Sequence, residues 1–277
     1  MLPGGIDRLP PIVLSHIGRS DEILFSVSVV KKTVYLQKGP IMHNPFKSLN
    51  PKDWFLWIAS LTVVTVSNIA GGSFDFLTLI ATWVGITALI FAAKGNAWTQ
   101  VFMILFAVLY AIISFRFRYW GEMITYLGMS LPMAVCSLVS WIRNQSGGKQ
   151  GAVSIRQMTG KLFAVLAAAA VLVTVAFYFL LGAFDTPNLF FSTLSVATSF
   201  FAASLTVLRS SYFALAYALN DVVLMILWTL AALKDPVYIP VIVNFLIFLV
   251  NDTHTFVSWK RRERTQTTGD RTPAEST

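Results

Sequence analysis

The polar side chains set deepest in apolar sequence are Asn220 and Asp221, within LAYALNDVVLMILW at 215–228. An amide beside a carboxyl can donate and accept hydrogen bonds and offset a positive charge. That is the chemistry of holding a polar solute. Helical spacing puts Tyr217, Asn220 or Asp221, Leu224 and Trp228 along one flank. Further on, Asn244, Asn251 and Asp252 recur at i, i+7 and i+8, with His254 nearer the end of the run. Asn244 is the deeper group; for Asn251 and Asp252 a cap or interfacial role stands beside solute contact, and His254 reads as interfacial. Earlier, Tyr119-Trp120-Gly121-Glu122 precedes Tyr126, which shares a helical face with Glu122. Trp98, Gln100 and Tyr110 complete the candidate set.

Each candidate has a structural alternative. A polar group in hydrocarbon is costly unless it meets a cavity or a partner, so it marks either a pathway or a fastening between helices. For Asp221 the solute-binding reading is preferred. Trp120 and Trp98 suit an interfacial aromatic belt, and Glu122 could pair with Arg116 or Arg118. Ser192, Ser195 and Ser199 form a small-polar stripe that suits close helix packing. The chain lacks paired intramembrane carboxylates or a basic relay of the kind that would point to ion or proton coupling.

The chain carries no phosphate loop, no Cys or His cluster with metal-ligand spacing, and no nucleophile with a base and an orienter. Catalysis, a metal site and a cofactor are therefore not expected. The single cysteine, Cys136, sits in an apolar run and reads as a packing residue. The net charge of +8 could suggest nucleic acid, but the basic residues gather in tails and one loop, so none is expected as a partner.

These side chains must be positioned by membrane-spanning elements. Of 277 residues 56% are hydrophobic and 12% charged, about half the charged fraction of a soluble domain. Eight apolar segments are long enough to cross a bilayer: 53–70, 76–93, 98–115, 119–142, 162–182, 188–208, 212–233 and 237–259. They are continuously apolar, without the alternation of barrel strands, so the fold class is all-α integral membrane.

Residues 1–50 form an N-terminal extension, 51–260 the transmembrane domain, and 261–277 a tail. Residues 1–41 are polar, with one short alternating stretch at 23–30, and Met42 is an alternative start; no secretory signal is visible. Lys31, Lys32, Lys38, Lys47 and Lys52 precede the first span, Arg143, Lys149, Arg156 and Lys161 lie in the longest loop, and Lys260, Arg261, Arg262 and Arg264 follow the last. Eight spans put these three places on one side, which the positive-inside rule assigns to the cytoplasm together with both termini. Arg116 and Arg118 fall on the other side, although the loops near Gly72 and Asp185 carry no basic residue.

The loop at 143–160 divides the spans into two sets. Sliding one half over the other until Tyr110 meets Trp228 also sets Arg116 over Lys234, Trp120 over Tyr238 and Ile124 over Ile242. The plan is one extra N-terminal helix followed by a 3+1+3 parallel repeat: 76–142, a connector at 162–182, then 188–259. Such repeats in transporters hold their solute between the units near mid-membrane.

The stretch 95–143, with Trp98, Leu109-Tyr110-Ala111, Tyr119-Trp120-Gly121-Glu122-Met123 and Leu131-Pro132-Met133, resembles the first half of the PnuC family of vitamin transporters. The run 215–228 is similar to that family's penultimate-helix motif, and the resemblance extends over residues 44–262. It implies facilitated diffusion of nicotinamide riboside across a bacterial inner membrane, with a cytoplasmic kinase trapping the product for NAD synthesis. It also implies the fold of the SWEET sugar transporters and a homotrimer in membrane lipid. Thiamine and riboflavin are carried by relatives, and a non-transporting membrane interaction protein is the alternative of another class. One departure is that Ala214 and Tyr217 stand where many members have two tryptophans. The residues assigned to substrate binding are Trp98, Gln100, Tyr110, Glu122, Tyr126, Tyr217, Asn220, Asp221, Trp228, Asn244 and Asn251.

Overall fold

The computed structural model describes residues 44–71, 75–116, 120–145 and 152–269. The extension 1–41, Met42, Gly72, Arg118, Tyr119 and Lys149 lie outside the described residues. Eight helices among the described residues are long and apolar enough to cross a membrane. They are α1 (Pro51–Ala70), α2 (Phe76–Lys94), α3 (Trp98–Arg116), α4 (Trp120–Arg143), α5 (Gly160–Ala183), α6 (Leu189–Val207), α7 (Phe213–Ala232) and α8 (Ile239–Gly269). Their limits follow the apolar runs because a backbone polar group cannot stay unpaired in hydrocarbon, so helix persists wherever the sequence is apolar. The exception is α8. It continues into the tail as far as Gly269, with the Lys260–Glu263 pair at 2.7 Å in the extra turns.

Turn chemistry sets the helix ends. Asp75 starts α2, accepting from the Thr78 N–H at 3.0 Å and the Thr78 hydroxyl at 2.6 Å. Gly95 ends it at φ 66°, with Gly95 N–H donating to Ala92 O at 2.8 Å and Asn96 N–H to Phe91 O at 3.2 Å. This is a left-handed cap that glycine adopts without strain. A side chain at Gly95 would also collide with the Arg262 guanidinium.

Six of the helices close into a ring. α2 packs on α3, α3 on α4, α4 on α6, α6 on α7, α7 on α8, and α8 returns to α2. The two units α2–α4 and α6–α8 thus meet at two seams. Outside the ring, α1 lies on α2 and α8, and α5 lies on α6. Of α5 only Leu181 is buried, while Phe163, Val171, Leu172 and Phe179 are exposed, as suits a connector whose apolar surface meets lipid.

One end of the ring is closed by a packed plug. Trp141, Trp259, Phe213 and Val153 are buried there together, with Trp259 4.7 Å from Phe213 and 5.4 Å from Trp141. Both indoles are satisfied: Trp141 Nε1 donates to Thr206 O at 2.9 Å and Trp259 Nε1 to Ala92 O at 2.7 Å. The loop after α4 is stitched across this end, with Val153 N–H donating to Gly95 O at 2.9 Å and Arg262 Nη2 to Val153 O at 2.7 Å. Arg209 Nη1 also reaches Ser154 Oγ at 3.0 Å, and burial together with the nearby Arg156 charge lowers the Arg209 guanidinium pKa.

Candidate functional site

A cavity of ≈ 260 Å³ lies inside the ring, walled by both three-helix units. From the first unit come Gln100, Phe106 and Tyr110 of α3 and Glu122, Tyr126, Met129 and Ser130 of α4. The second unit contributes Ser192, Ser195, Ser199 and Thr206 of α6, Tyr217, Asn220, Asp221 and Trp228 of α7, and Phe245, Phe248 and Asp252 of α8. Helical spacing explains the α7 wall, since positions 217, 220, 221, 224 and 228 fall on one flank and all five line the space.

The α4 wall has a special construction. Between Tyr126 and Ser130 the helix widens by one residue, and Leu131 N–H donates to Tyr126 O instead of the carbonyl four residues back. Pro132, just after it, has no N–H to give, which removes one bond from the regular ladder. Such widened turns concentrate at functional sites. Here the turn presents Tyr126, Met129 and Ser130 to the cavity, with the Tyr126 ring 5.2 Å from Tyr110 and Tyr110 4.5 Å from Phe106. Across the space, Asn220 Oδ1 accepts from the Thr198 hydroxyl at 2.7 Å, an α6–α7 bond that fixes the amide's orientation.

Eight of the eleven candidates line the cavity: Gln100, Tyr110, Glu122, Tyr126, Tyr217, Asn220, Asp221 and Trp228. The other three are elsewhere. Trp98 stands in the first turn of α3, its ring 6.5 Å from Phe102. Asn244 accepts from Asn68 Nδ2 at 3.3 Å, and Asn251 donates to Ser60 Oγ at 3.0 Å. Both asparagines therefore fasten α8 to α1 outside the ring. Arg116 meets Asp75 at 3.6 Å, and Arg118, the other partner considered for Glu122, lies outside the described residues.

The structure also places side chains whose role the linear sequence left open or assigned otherwise. Asp252 turns from the α1 side into the cavity, where its carboxyl is within hydrogen-bonding reach of Asp221. The pair is invisible in the linear sequence because its members sit on separate helices. The serine stripe of α6 borders the cavity, with Ser192 buried and Ser195 and Ser199 half-buried. Cys136, expected to pack, is exposed on the outer surface of α4. His254 is half-buried, with Nε2 3.6 Å from Asp53 Oδ1.

Eight apolar helices, six of them around a central cavity lined by aromatic and polar side chains and one more on each flank, have the build of a membrane transporter. Comparison with known proteins gives the family. The family model described as nicotinamide mononucleotide transporter matches residues 75–261, and the chain belongs to this family. It is 22% identical over 191 residues to the nicotinamide riboside transporter PnuC of Neisseria mucosa, covering 68% of this chain and 73% of that protein. The crystal structure of the vitamin B3 transporter PnuC has a similar fold, with a TM-score of 0.66 at 20% identity, over 77% of this chain and 92% of that one.

Proposed function

We propose that the chain takes up nicotinamide riboside across a bacterial inner membrane by facilitated diffusion, feeding NAD synthesis. The observation that carries this reading is the make-up of the cavity wall. Eight aromatic side chains, two amides and three carboxyls face one space, and among the described residues that line it there is no Lys, Arg or His. A flat cationic pyridinium suits the faces of Tyr110, Tyr126, Tyr217 and Trp228, each such contact contributing roughly 0.5 to 2 kcal/mol. Gln100 and Asn220 can meet the carboxamide or the ribose hydroxyls.

The same wall separates the riboside from its mononucleotide. A phosphate ester brings close to two negative charges into a site whose own charged groups are acidic, and burying it unpaired would be costly. The riboside has no such group. This also gives the trapping step a physical basis, because a cytoplasmic kinase that phosphorylates the arriving riboside makes it repellent to the cavity. In this reading the basic end of the bundle, closed by the Trp141–Trp259 plug, faces the cytoplasm with both termini. The two ring units are the repeats, they rock against each other, α5 is the connector, and three copies assemble in the lipid.

Uptake into liposomes that enclose a riboside kinase and ATP tests the proposal. Labelled nicotinamide riboside should accumulate well above protein-free liposomes, externally added mononucleotide should not, and collapsing the proton gradient should change neither. Equal uptake of mononucleotide, or riboside uptake no higher than in empty liposomes, would contradict it. Thiamine and riboflavin as competitors, together with intact-complex mass measurement, test the cargo and the trimer.

A further inference from the structure

Asp221 of α7 and Asp252 of α8 are 4% and 3% exposed, and their carboxyls lie within hydrogen-bonding reach of each other on the cavity wall. Asp221 Oδ2 and Asp252 Oδ1 are buried and receive no hydrogen bond from any described residue. The chain treats its other buried aspartate differently. Asp53, at 2% exposure, accepts from Asn50 N–H at 2.6 Å, pairs with Lys94 Nζ at 2.5 Å and has His254 Nε2 at 3.6 Å. Two carboxyls this close share a proton, which leaves the pair one negative charge, and a buried charge without a cation or a donor beside it is strongly destabilising.

The groups around the pair supply no positive charge. Tyr217 lies on the same helix as Asp221, α6 contributes Thr206 and the serines, and Glu122 enters from α4. α2 carries one cation, Lys94, and it is committed to Asp53. That one negative charge is left for the solute to meet.

We propose that Asp221 and Asp252 form a counter-charge site for the cationic ring of the transported molecule, and that this pair sets the preference for a positively charged heteroaromatic nucleoside over a neutral one of the same shape. The proposal rests on the reading of the cavity as the solute site. It assigns Asp252, on the last helix, a role in specificity equal to that of Asp221.

Nicotinamide riboside and its reduced dihydropyridine form are the right probes, because they share ribose and carboxamide and differ in ring charge. Calorimetry on the detergent-solubilised full chain should show the oxidised, cationic form binding about tenfold or more tightly than the reduced form. Asp252→Asn and Asp221→Asn should each lose about tenfold or more for the cation and less than about twofold for the neutral form, which collapses the ratio. The wild-type ratio needs no variant, so a variant that fails to fold does not rescue the idea. Equal wild-type affinities for the two forms would overturn the proposal while leaving transport intact, and so would variants that lose both forms alike. Binding of the neutral form as tightly as the cation, and only when sodium replaces choline, would show an inorganic cation in the site and also overturn it. Failure of wild type to bind either form would strike the transport reading itself.

Discussion

The last helix sends its polar side chains in two directions. Toward α1 it offers Asn244 and Asn251, and toward the cavity it offers Asp252 among Val241, Phe245 and Phe248. Burial does not distinguish the two faces, since Asn244, Asn251 and Asp252 are 4%, 1% and 3% exposed. Partners do. Asn251 donates to Ser60 Oγ and to Ile247 O at 2.8 Å, whereas Asp252 faces the cavity and Asp221. A polar residue at membrane depth is thus a fastening where a neighbouring helix answers it, and a candidate ligand group where it faces a cavity. Adjacent residues on a helix point about 100° apart, which is enough to send Asn251 and Asp252 to different neighbours.

Substitutions can break this comparison. The largest effect is expected at the cavity amide: Asn220→Ala should weaken riboside binding about tenfold or more by calorimetry. Its effect on the melting temperature should be small, because the Thr198 hydroxyl keeps Leu194 O and Ser195 O as acceptors. Next, Tyr126→Leu should lower affinity by roughly 0.5 to 2 kcal/mol, with the loss concentrated on cationic ligands. On the opposite face the readout inverts. Asn251→Ala should destabilise the protein by about 1 kcal/mol in detergent melts and leave the riboside-induced shift in melting temperature unchanged. Asn244→Ala should cost less, about 0.5 kcal/mol, since its bond is long and Asn68 retains Val64 O at 2.8 Å. Loss of riboside binding in Asn251→Ala would erase the distinction between the faces.

The spans were legible because continuous apolar sequence admits one solution in a bilayer, and the α7 flank was legible because a single helix wheel contains it. The rest depended on which helix faces which. Asn244 and Asn251 share a flank of α8, but the sequence does not say that α1 covers it. The Asp221–Asp252 pair needs α7 and α8 side by side. The α6 serines have the small size of packing residues, and only the ring geometry shows that space lies in front of them. Gly95 is intelligible once Arg262, from the far end of the chain, is seen against it. The α8 extension to Gly269 was hidden because the expected boundary followed the end of the apolar run, and helix does not have to end there.

The proposed solute site lies inside the six-helix ring, between residues of both units. Cryo-electron microscopy of the protein saturated with nicotinamide riboside tests it most directly. Ligand density is expected between the Tyr110–Tyr126 wall and Asn220, with the ring nitrogen beside Asp221 and Asp252. Density at the α1–α8 seam near Asn244 and Asn251, with the cavity empty, would contradict it.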